Sequence, residues 1–241
     1  MKIIGLIGGL TWRSTIEYYR LINQTVEQKL GAPHSARINL HSFDRAEFLS
    51  LMEKGEEYAE EAILNAFQRL KSSGSEVIAF CANGIHRFAR QLEVQEDIEI
   101  VHIANSVAIE LRQLNLKKVG LLGVKKTMES DFYQKHLQVM GVEQIIPSSD
   151  EMNEVHRIIY EELAHGIIRQ ESKEIYRSIM RSLESRGAEA FILGCTEIPH
   201  LIGKEDFHLP LIDTVSVHCR NIVQKSICER VGGLSLIHIS E

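Results

Sequence analysis

The segment GSEVIAFCANGIH at residues 74–86 contains the pattern that decides the fold, and a similar segment, GAEAFILGCTEIPH, occupies residues 187–200. Each segment begins with Gly-x-Glu, continues through an apolar run, and reaches a cysteine with a histidine five residues after it. The cysteines are Cys81 and Cys195, which lie 114 positions apart. A period this long is too large for a solenoid, so it indicates two similar α/β units in one chain.

Two further pairs of segments repeat in the same order at nearly the same separation. IGLIG at residues 4–8 resembles VGLLG at residues 119–123. More loosely, the apolar run that ends at His102 resembles the run that ends at Asp213, and a helix-like pattern follows each. The repeats predict two pseudo-symmetric lobes that face each other, with an active site between them that receives one cysteine loop from each lobe.

Short apolar runs alternate with longer amphipathic stretches along the chain. The runs predicted as buried strands are Ile3–Ile7, Ile38–Leu40, Val77–Phe80, Ile98–Ile103, Val119–Leu122, Ala190–Leu193 and Leu209–Ile212. Amphipathic helices are predicted between them, for example at Tyr58–Ser72 and Met152–His165. This alternation predicts an α/β fold in which each lobe is a mainly parallel sheet flanked by helices. Ligands bind such sheets at the carboxyl ends of the strands.

The lobe boundaries follow from the order of the repeats. The first lobe is predicted to contain residues 1–103 together with a C-terminal helix at Val215–Val231, and the second lobe is predicted to contain residues 104–214. The helix pattern stops at Gly232-Gly233, so residues 232–241 are predicted to form a frayed C-terminal tail.

The composition is that of an ordinary globular protein, with 241 residues of which 44% are hydrophobic and 25% charged. A net charge of −6 argues against nucleic acid or an anionic membrane as the main partner. No apolar run approaches the roughly 18 residues of a membrane-spanning helix. The four cysteines, Cys81, Cys195, Cys219 and Cys228, form no C-x-x-C pair and indicate no disulfide framework. A cytoplasmic protein with a small-molecule partner is therefore expected.

Cys81 and Cys195 are the candidate catalytic residues. Each begins a loop between an apolar strand and a helix, where backbone N–H groups and the helix dipole are expected to lower the pKa of a thiol. Taken alone, either cysteine is better explained as a small buried hydrophobic residue, but the symmetric placement favours a shared role. Two opposed thiols suit racemisation, since one removes a proton from one face of a carbon and the other donates a proton to the opposite face.

Polar residues near the cysteines are candidates for holding a substrate. Asn83 and Thr196 offer hydrogen-bond donors to a developing negative charge, although each also suits a turn or a helix cap. Arg45 could bind a carboxylate with two hydrogen bonds, although a solvated surface arginine is the more common case. Gly8 and Gly9 allow a ligand to approach the backbone closely, but the chain has no G-x-G-x-x-G motif there.

A metal site is the alternative use of the same loops. Cys81, His86, Cys195 and His200 would supply the ligands of a Cys₂His₂ site if the lobes brought them together. The C-x₄-H spacing is not that of a zinc finger, and each histidine is expected to point away from its cysteine along the following helix. We therefore expect no metal.

Four segments spread over most of the chain resemble the aspartate/glutamate racemase family. They are GGLTWRST at residues 8–15, CANGIH at residues 81–86, TMESDFY at residues 127–133 and GCTEIP at residues 194–199. The resemblance implies a two-lobed α/β fold, a dimer, and catalysis that needs neither a pyridoxal cofactor nor a metal. Glu197, where glutamate racemases of cell-wall synthesis have a histidine, favours the aspartate or broader aspartate/glutamate branch.

The resemblance also implies roles for individual residues. Cys81 and Cys195 would be the acid and base. The residues expected to contact the substrate are Thr11, Trp12, Arg45, Asn83, Gly84, Thr127 and Thr196. Asn83, Thr127 and Thr196 would hold the α-carboxylate and Arg45 the side-chain carboxylate, while Glu197 would support these residues without contacting the substrate.

Several positions depart from the family pattern. Gly84 stands where the family usually has a threonine that helps to hold the substrate carboxylate, and Leu10-Thr11 stand where Met-Ser is usual. Val124 replaces a frequent threonine, and a lysine found in some aspartate racemases near Ala164 is missing. The departures predict altered substrate contacts, and hence weak activity or a different preferred side chain.

The leading hypothesis from the sequence is a cofactor-independent racemase of aspartate, glutamate or a related amino acid. A related isomerase or decarboxylase is the alternative among enzymes, but such decarboxylases tend to use one catalytic cysteine. A non-catalytic protein that binds a small acid is the alternative of another class, and Gly84 is the feature that favours it.

Overall fold

The computed structural model describes residues 1–92 and 98–227, in which eight β-strands form two four-stranded sheets. The first sheet contains β1 (Ile4–Gly8), β2 (Ile38–Ser42), β3 (Val77–Phe80) and β4 (Glu99–Ile100). The second sheet contains β5 (Lys118–Leu122), β6 (Glu143–Ile145), β7 (Ala190–Leu193) and β8 (Leu211–Asp213). Every pair of neighbouring strands is parallel.

The two sheets have equivalent strand orders, β2-β1-β3-β4 and β6-β5-β7-β8. The IGLIG and VGLLG segments therefore supply equivalent inner strands, β1 and β5, and the two cysteines directly follow or lie just beyond the equivalent strands β3 and β7. The predicted α/β fold with two pseudo-symmetric parallel lobes is confirmed.

Helices connect successive strands and cover both sheets. They are α1 (Trp12–Leu30), α2 (Arg45–Lys54), α3 (Glu56–Ser72), α4 (Ile103–Gln113), α5 (Lys125–Glu129), α6 (Phe132–Val139), α7 (Ser149–Arg157), α8 (Gln170–Ser185), α9 (Ile198–Leu201) and α10 (Thr214–Ser226). The chain also forms 3₁₀ turns at Gly84–Gln91 and Leu163–His165 and a π-helical turn at Ile158–Glu162. Within the described residues, no helix is both long and apolar enough to cross a membrane.

Local sequence explains where the helices near the strand ends begin. The Asp44 side chain accepts a hydrogen bond from the Glu47 N–H at 3.0 Å, which caps α2 and places Arg45 at its first position. Gly9 has a φ of +88°, and a Cβ atom there would lie 2.2 Å from the Phe43 carbonyl oxygen. The backbone of Phe43, and not a ligand, therefore occupies the space that the glycine leaves open.

The helices α4 and α10 cross between the lobes. Although α4 follows the first sheet, its Val107 and Leu111 belong to the hydrophobic core around β5 and β7. Conversely, α10 follows the second sheet, and its Cys219 and Ile222 pack in the core around β1 and β3. The pair of strand ends at His102 and Asp213, noted as a loose repeat, supplies the N-caps of these two helices.

The observed elements differ from the predicted ones at several boundaries. The run at Ile98–Ile103 forms only the short strand β4, since α4 already begins at its last residue. The pattern at Met152–His165 is helical throughout, but it changes from α to π and then to 3₁₀ turns. The end of the predicted Val215–Val231 helix, Cys228 and the tail at residues 232–241 lie outside the described residues.

Candidate active site

A cavity of about 320 Å³ lies where the loops from both sheets meet. The segments after β1, β2 and β3 contribute Thr11, Arg45 and Asn83 to its wall, and the segments after β5 and β7 contribute Thr127 and Cys195. All five residues follow carboxyl ends of parallel strands, which is where open α/β sheets bind ligands. The volume suits a small molecule.

Most of the residues expected to form the site line this cavity. They are Thr11, Arg45, Asn83, Gly84, Thr127, Cys195, Thr196 and Glu197. Cys81 and Trp12 do not line it. Trp12 is 60% exposed at the start of α1, because the buried face of that helix consists of other residues, such as Ser14 and Tyr18.

Cys195 lies in the cavity wall with its thiol directed at a carboxylate. Its Sγ donates a hydrogen bond to Glu197 Oε2 at 2.9 Å, and Thr196 Oγ1 donates to the same oxygen at 2.7 Å. Burial, followed by the negative charge of Glu197, raises the pKa of the Cys195 thiol well above its usual range. Backbone N–H groups of Thr196 and Glu197 act in the opposite direction, as expected for this loop, but they do not outweigh burial.

Cys81 lies behind the cavity wall. Its side chain is 2% exposed and belongs to the apolar core of the first lobe. Its carbonyl accepts a hydrogen bond from Ser14 Oγ at 2.5 Å, and both Ser14 and the next residue, Ala82, line the cavity. Burial raises the pKa of the Cys81 thiol. The expectation that both loops lower a thiol pKa is therefore wrong for the free protein, because burial has the larger effect at both sulfurs.

Asn83 is held by groups of the second lobe. Its Oδ1 accepts a hydrogen bond from the Tyr133 hydroxyl at 2.6 Å, and its Nδ2 donates to Thr214 Oγ1 at 3.1 Å. Thr214 in turn donates to the Leu193 carbonyl, at the end of β7, at 2.9 Å. These bonds fix the orientation of the amide and connect the two cysteine loops to each other.

Thr127 carries a buried hydroxyl with no hydrogen-bond partner among the described residues. Its side chain is fully buried but lines the cavity. Buried polar groups in folded proteins almost always have a partner, so this unpartnered hydroxyl at the cavity wall is a candidate to bind a ligand. Gly84 lies close by, since a Cβ atom built on it would be 3.8 Å from Thr127 Oγ1 and 3.7 Å from Arg87 Nη1.

Arg87 also lines the cavity, although no sequence pattern pointed to it. Its Nη1 donates to the Gly84 carbonyl at 2.5 Å, and its Nη2 lies 3.5 Å from Glu56 Oε1. Lys126, from the second lobe, approaches the same oxygen of Glu56 at 3.4 Å and is the third cation of the lining, with Arg45. The only available signal was the position of Arg87, three residues after Gly84 in the cysteine loop.

The histidines of the two repeats do not form a metal site with the cysteines. His86 is buried, and its Nδ1 lies 2.9 Å from the Ala82 carbonyl. His200 lies exposed on α9. Among the described residues there is no group of three or more histidine, cysteine and acidic side chains that could hold a metal ion.

The arrangement of this site can be compared with known families. The family model described as Asp/Glu/Hydantoin racemase matches residues 7–222, which is nearly the whole described chain. The chain belongs to this racemase family.

Several known proteins are similar to this chain in sequence or in structure. A candidate Asp/Glu racemase from Yersinia pestis is 41% identical, with a TM-score of 0.90, 95% of this chain and 100% of that chain covered. An aspartate racemase homologue from Pyrococcus horikoshii OT3 is 36% identical, with a TM-score of 0.82 and coverage of 94% and 99%. The broad specificity amino-acid racemase RacX of Bacillus subtilis (strain 168) is 22% identical over 67% of this chain and 70% of its own length.

Proposed function

We propose that this protein racemises aspartate, glutamate or a related amino acid by proton transfer between Cys81 and Cys195, without a cofactor. The observation that carries the proposal is the cavity between the lobes, because loops after the equivalent strands β3 and β7 each bring one cysteine to its wall or directly behind it. Membership of the racemase family supports the same reaction.

The proposed reaction has one proton transfer on each face of the α-carbon. The thiolate of one cysteine removes the α-proton, and the thiol of the other donates a proton to the opposite face. The negative charge that develops extends onto the α-carboxylate, where hydrogen-bond donors stabilise it. Asn83, Thr127 and Thr196 are the proposed donors, and the unpartnered hydroxyl of Thr127 is the clearest of them.

The cations of the cavity favour a substrate with a second carboxylate. Arg45 and Arg87 lie on the first lobe, and Arg45 has no ion pair or hydrogen bond within the described part of the chain. A guanidinium binds a carboxylate with two charge-assisted hydrogen bonds. We therefore assign the side-chain carboxylate to Arg45. The family's lysine near Ala164 is missing, and Arg87 supplies a second cation in its absence.

A small-acid binding protein without catalytic activity is the second candidate. It is favoured by Gly84, which lacks the hydroxyl of the family's threonine, and by the raised thiol pKa values in the free protein. Cys81 argues for the enzyme, since a binding protein needs no second thiol at the equivalent loop.

Exchange of the α-proton in D₂O separates the two candidates. Purified protein is incubated with a panel of L- and D-amino acids, including aspartate and glutamate, and deuterium incorporation is followed by NMR. The racemase incorporates deuterium into both enantiomers of its substrate. Binding of an amino acid without exchange of the α-proton of any panel member would establish the binding protein instead.

Assembly, location and cofactor independence form a separate part of the proposal. We expect a homodimer. We also expect it in the cytoplasm, because the described cysteines Cys81, Cys195 and Cys219 are free thiols, which suit a reducing compartment. The exposed apolar side chains of Trp12, Ile16 and Tyr19 along α1 would suit a protein interface. Light scattering measures the mass in solution.

Racemisation should survive dialysis against a chelator without added pyridoxal phosphate, and loss of activity that zinc restores would contradict cofactor independence.

A further inference from the structure

Glu197 has the opposite charge to the other charged side chains of the cavity wall. The three charged side chains that line the cavity besides it, Arg45, Arg87 and Lys126, are cations. Within the described lining, Glu197 is the only carboxylate. An α-amino acid carries a positive ammonium group as well as its carboxylates, and a partly buried cation requires an opposite charge.

The position of Glu197 matches the position that the ammonium group must take. Proton transfer requires the α-carbon to lie next to the sulfur of Cys195, and the amino nitrogen is bonded to that carbon at about 1.5 Å. The nitrogen therefore lies within a few ångströms of the sulfur. Glu197 Oε2 is 2.9 Å from that sulfur.

The second oxygen of the carboxylate is available for such a contact. Oε2 already accepts hydrogen bonds from Cys195 and Thr196, and these bonds fix the plane of the carboxylate. Oε1 of Glu197 has no hydrogen-bond partner in the described portion of the structure. A carboxylate held by one oxygen with the other unengaged is preorganised to accept an N–H donor.

We propose that Glu197 binds the α-ammonium group of the substrate directly, beside the sulfur of Cys195. This assignment rests on the proposed function, since it places the α-carbon against Cys195. It changes the expected role of Glu197, which becomes a residue that selects α-amino acids over carboxylic acids without an amino group. The bound ammonium also neutralises the charge that stabilises the protonated form of Cys195, so that the substrate itself makes this thiol a better base.

Matched pairs of ligands test the assignment. Aspartate and succinate differ in the amino group, as do glutamate and glutarate. Calorimetry measures their dissociation constants for the wild type, Glu197→Gln, the charge-conserving Glu197→Asp, and the control Glu61→Gln, which removes an exposed carboxylate of α3 outside the cavity lining. The wild type and Glu61→Gln should prefer the amino acid at least about tenfold, about 1.4 kcal/mol. Glu197→Gln should lose that preference and still bind succinate, while Glu197→Asp should retain part of it.

Two results would overturn the assignment. One is a preference for the amino acid that persists in Glu197→Gln, and the other is a wild type that binds aspartate and glutamate no better than succinate and glutarate. The α-proton exchange measured on the same proteins keeps the two proposals apart. A wild type that shows the Glu197-dependent preference but never exchanges the proton would refute the racemase and retain the ammonium site.

Discussion

The two cysteine loops occupy equivalent places in the two lobes, yet their surroundings differ. Cys195 lines the cavity, and its thiol donates to the carboxylate of Glu197. Cys81 is surrounded by the apolar core of the first lobe. The residues that follow it, such as Ala82 and Asn83, line the cavity in its place. The repeated topology therefore explains where two thiols are placed, while residues that differ between the two loops, such as Glu197, and the packing around each loop determine the chemistry of each thiol. A racemase of this kind is expected to treat its two enantiomers unequally.

Replacement of either thiol should have the largest effect. Cys81→Ser and Cys195→Ser should each lower racemisation by about 10²–10⁴-fold, because an alcohol is a far weaker base than a thiol. Each variant keeps one thiol, so the remaining α-proton exchange should favour opposite enantiomers in the two variants. The rates are measured by NMR in D₂O with each pure enantiomer.

The control for these variants is Cys219→Ala, which removes a buried thiol that lies outside the cavity lining. It should retain most of the activity, and aspartate should bind to all three variants within about tenfold of the wild type, about 1.4 kcal/mol. Equal residual exchange of both enantiomers in both serine variants would contradict two thiols on opposite faces.

Acid should destabilise the protein through two buried histidines, His86 in the loop that contains Cys81 and His218 in α10. Burial lowers the pKa of His218 to about 3, and it also lowers the pKa of His86 well below its usual range. Below pH 6.5 the unfolded chain binds protons at these histidines while the folded protein does not, so stability is lost as the pH falls from 6.5 toward 3. Each group contributes up to about 1.4 kcal/mol per pH unit. Urea unfolding at several pH values measures this slope.

The repeat offers a matched pair of variants for this measurement. His86→Asn removes a buried histidine and should reduce the pH dependence of the unfolding free energy, whatever its effect on stability at neutral pH. His200→Asn, at the equivalent position of the other lobe, removes an exposed histidine and should leave the slope unchanged. Equal slopes for the two variants would contradict the role of burial.

Gly84→Thr should increase kcat/KM by adding a hydroxyl to the loop that contains Cys81. Its side chain has room, because the nearest atoms to a built Cβ are Arg87 Nη1 at 3.7 Å and Thr127 Oγ1 at 3.8 Å. A hydroxyl that donates to the substrate carboxylate is worth roughly 1.5 kcal/mol, which raises kcat/KM for aspartate or glutamate about tenfold. Gly84→Val fills the same space without a hydroxyl and should give no gain. A lower value for both variants would show that the site requires the glycine.

The smallest expected effect is the change in the reactivity of Cys195, on the other loop, in Glu197→Gln. After burial, the negative charge of Glu197 is the next cause that raises the pKa of Cys195, so its removal lowers that pKa and increases the thiolate fraction. Alkylation of Cys195 by iodoacetamide at pH 8, followed by mass spectrometry, should be faster than in the wild type. Cys81 in the same samples is the internal control and should react slowly in both proteins. An unchanged rate at Cys195 would mean that burial alone controls this thiol.

Sequence periodicity was sufficient for the overall architecture. The apolar runs identify seven of the eight strands, and the spacing of Cys81 and Cys195 correctly indicates the two similar lobes. The strand β6 at Glu143–Ile145 was missed because it is only three residues long and contains two polar residues, so it has no apolar run to detect.

The site could be predicted only in part, since its details depend on contacts between distant segments. Arg87 is held at the cavity wall by a hydrogen bond to the Gly84 carbonyl and an ion pair with Glu56, and neither contact has a signature in the sequence. The thiol pKa directions were also unpredictable, as the depth at which Cys81 is buried depends on packing by α1 and α10. The local sequence pattern predicts where the loop lies, whereas tertiary packing determines the pKa of its thiol.

The crossing of α4 and α10 has a consequence for the way this chain is made. The side of β1 and β3 covered by Cys219 and Ile222 receives that cover from one of the last described segments to be synthesised. On the ribosome, α1 can cover part of this apolar side through Tyr18 and Ile22, but the part that α10 covers stays open while the second lobe is translated. The core of the first lobe is therefore closed only after α10 has been made, and the two lobes are not expected to fold as independent units in the order of their synthesis.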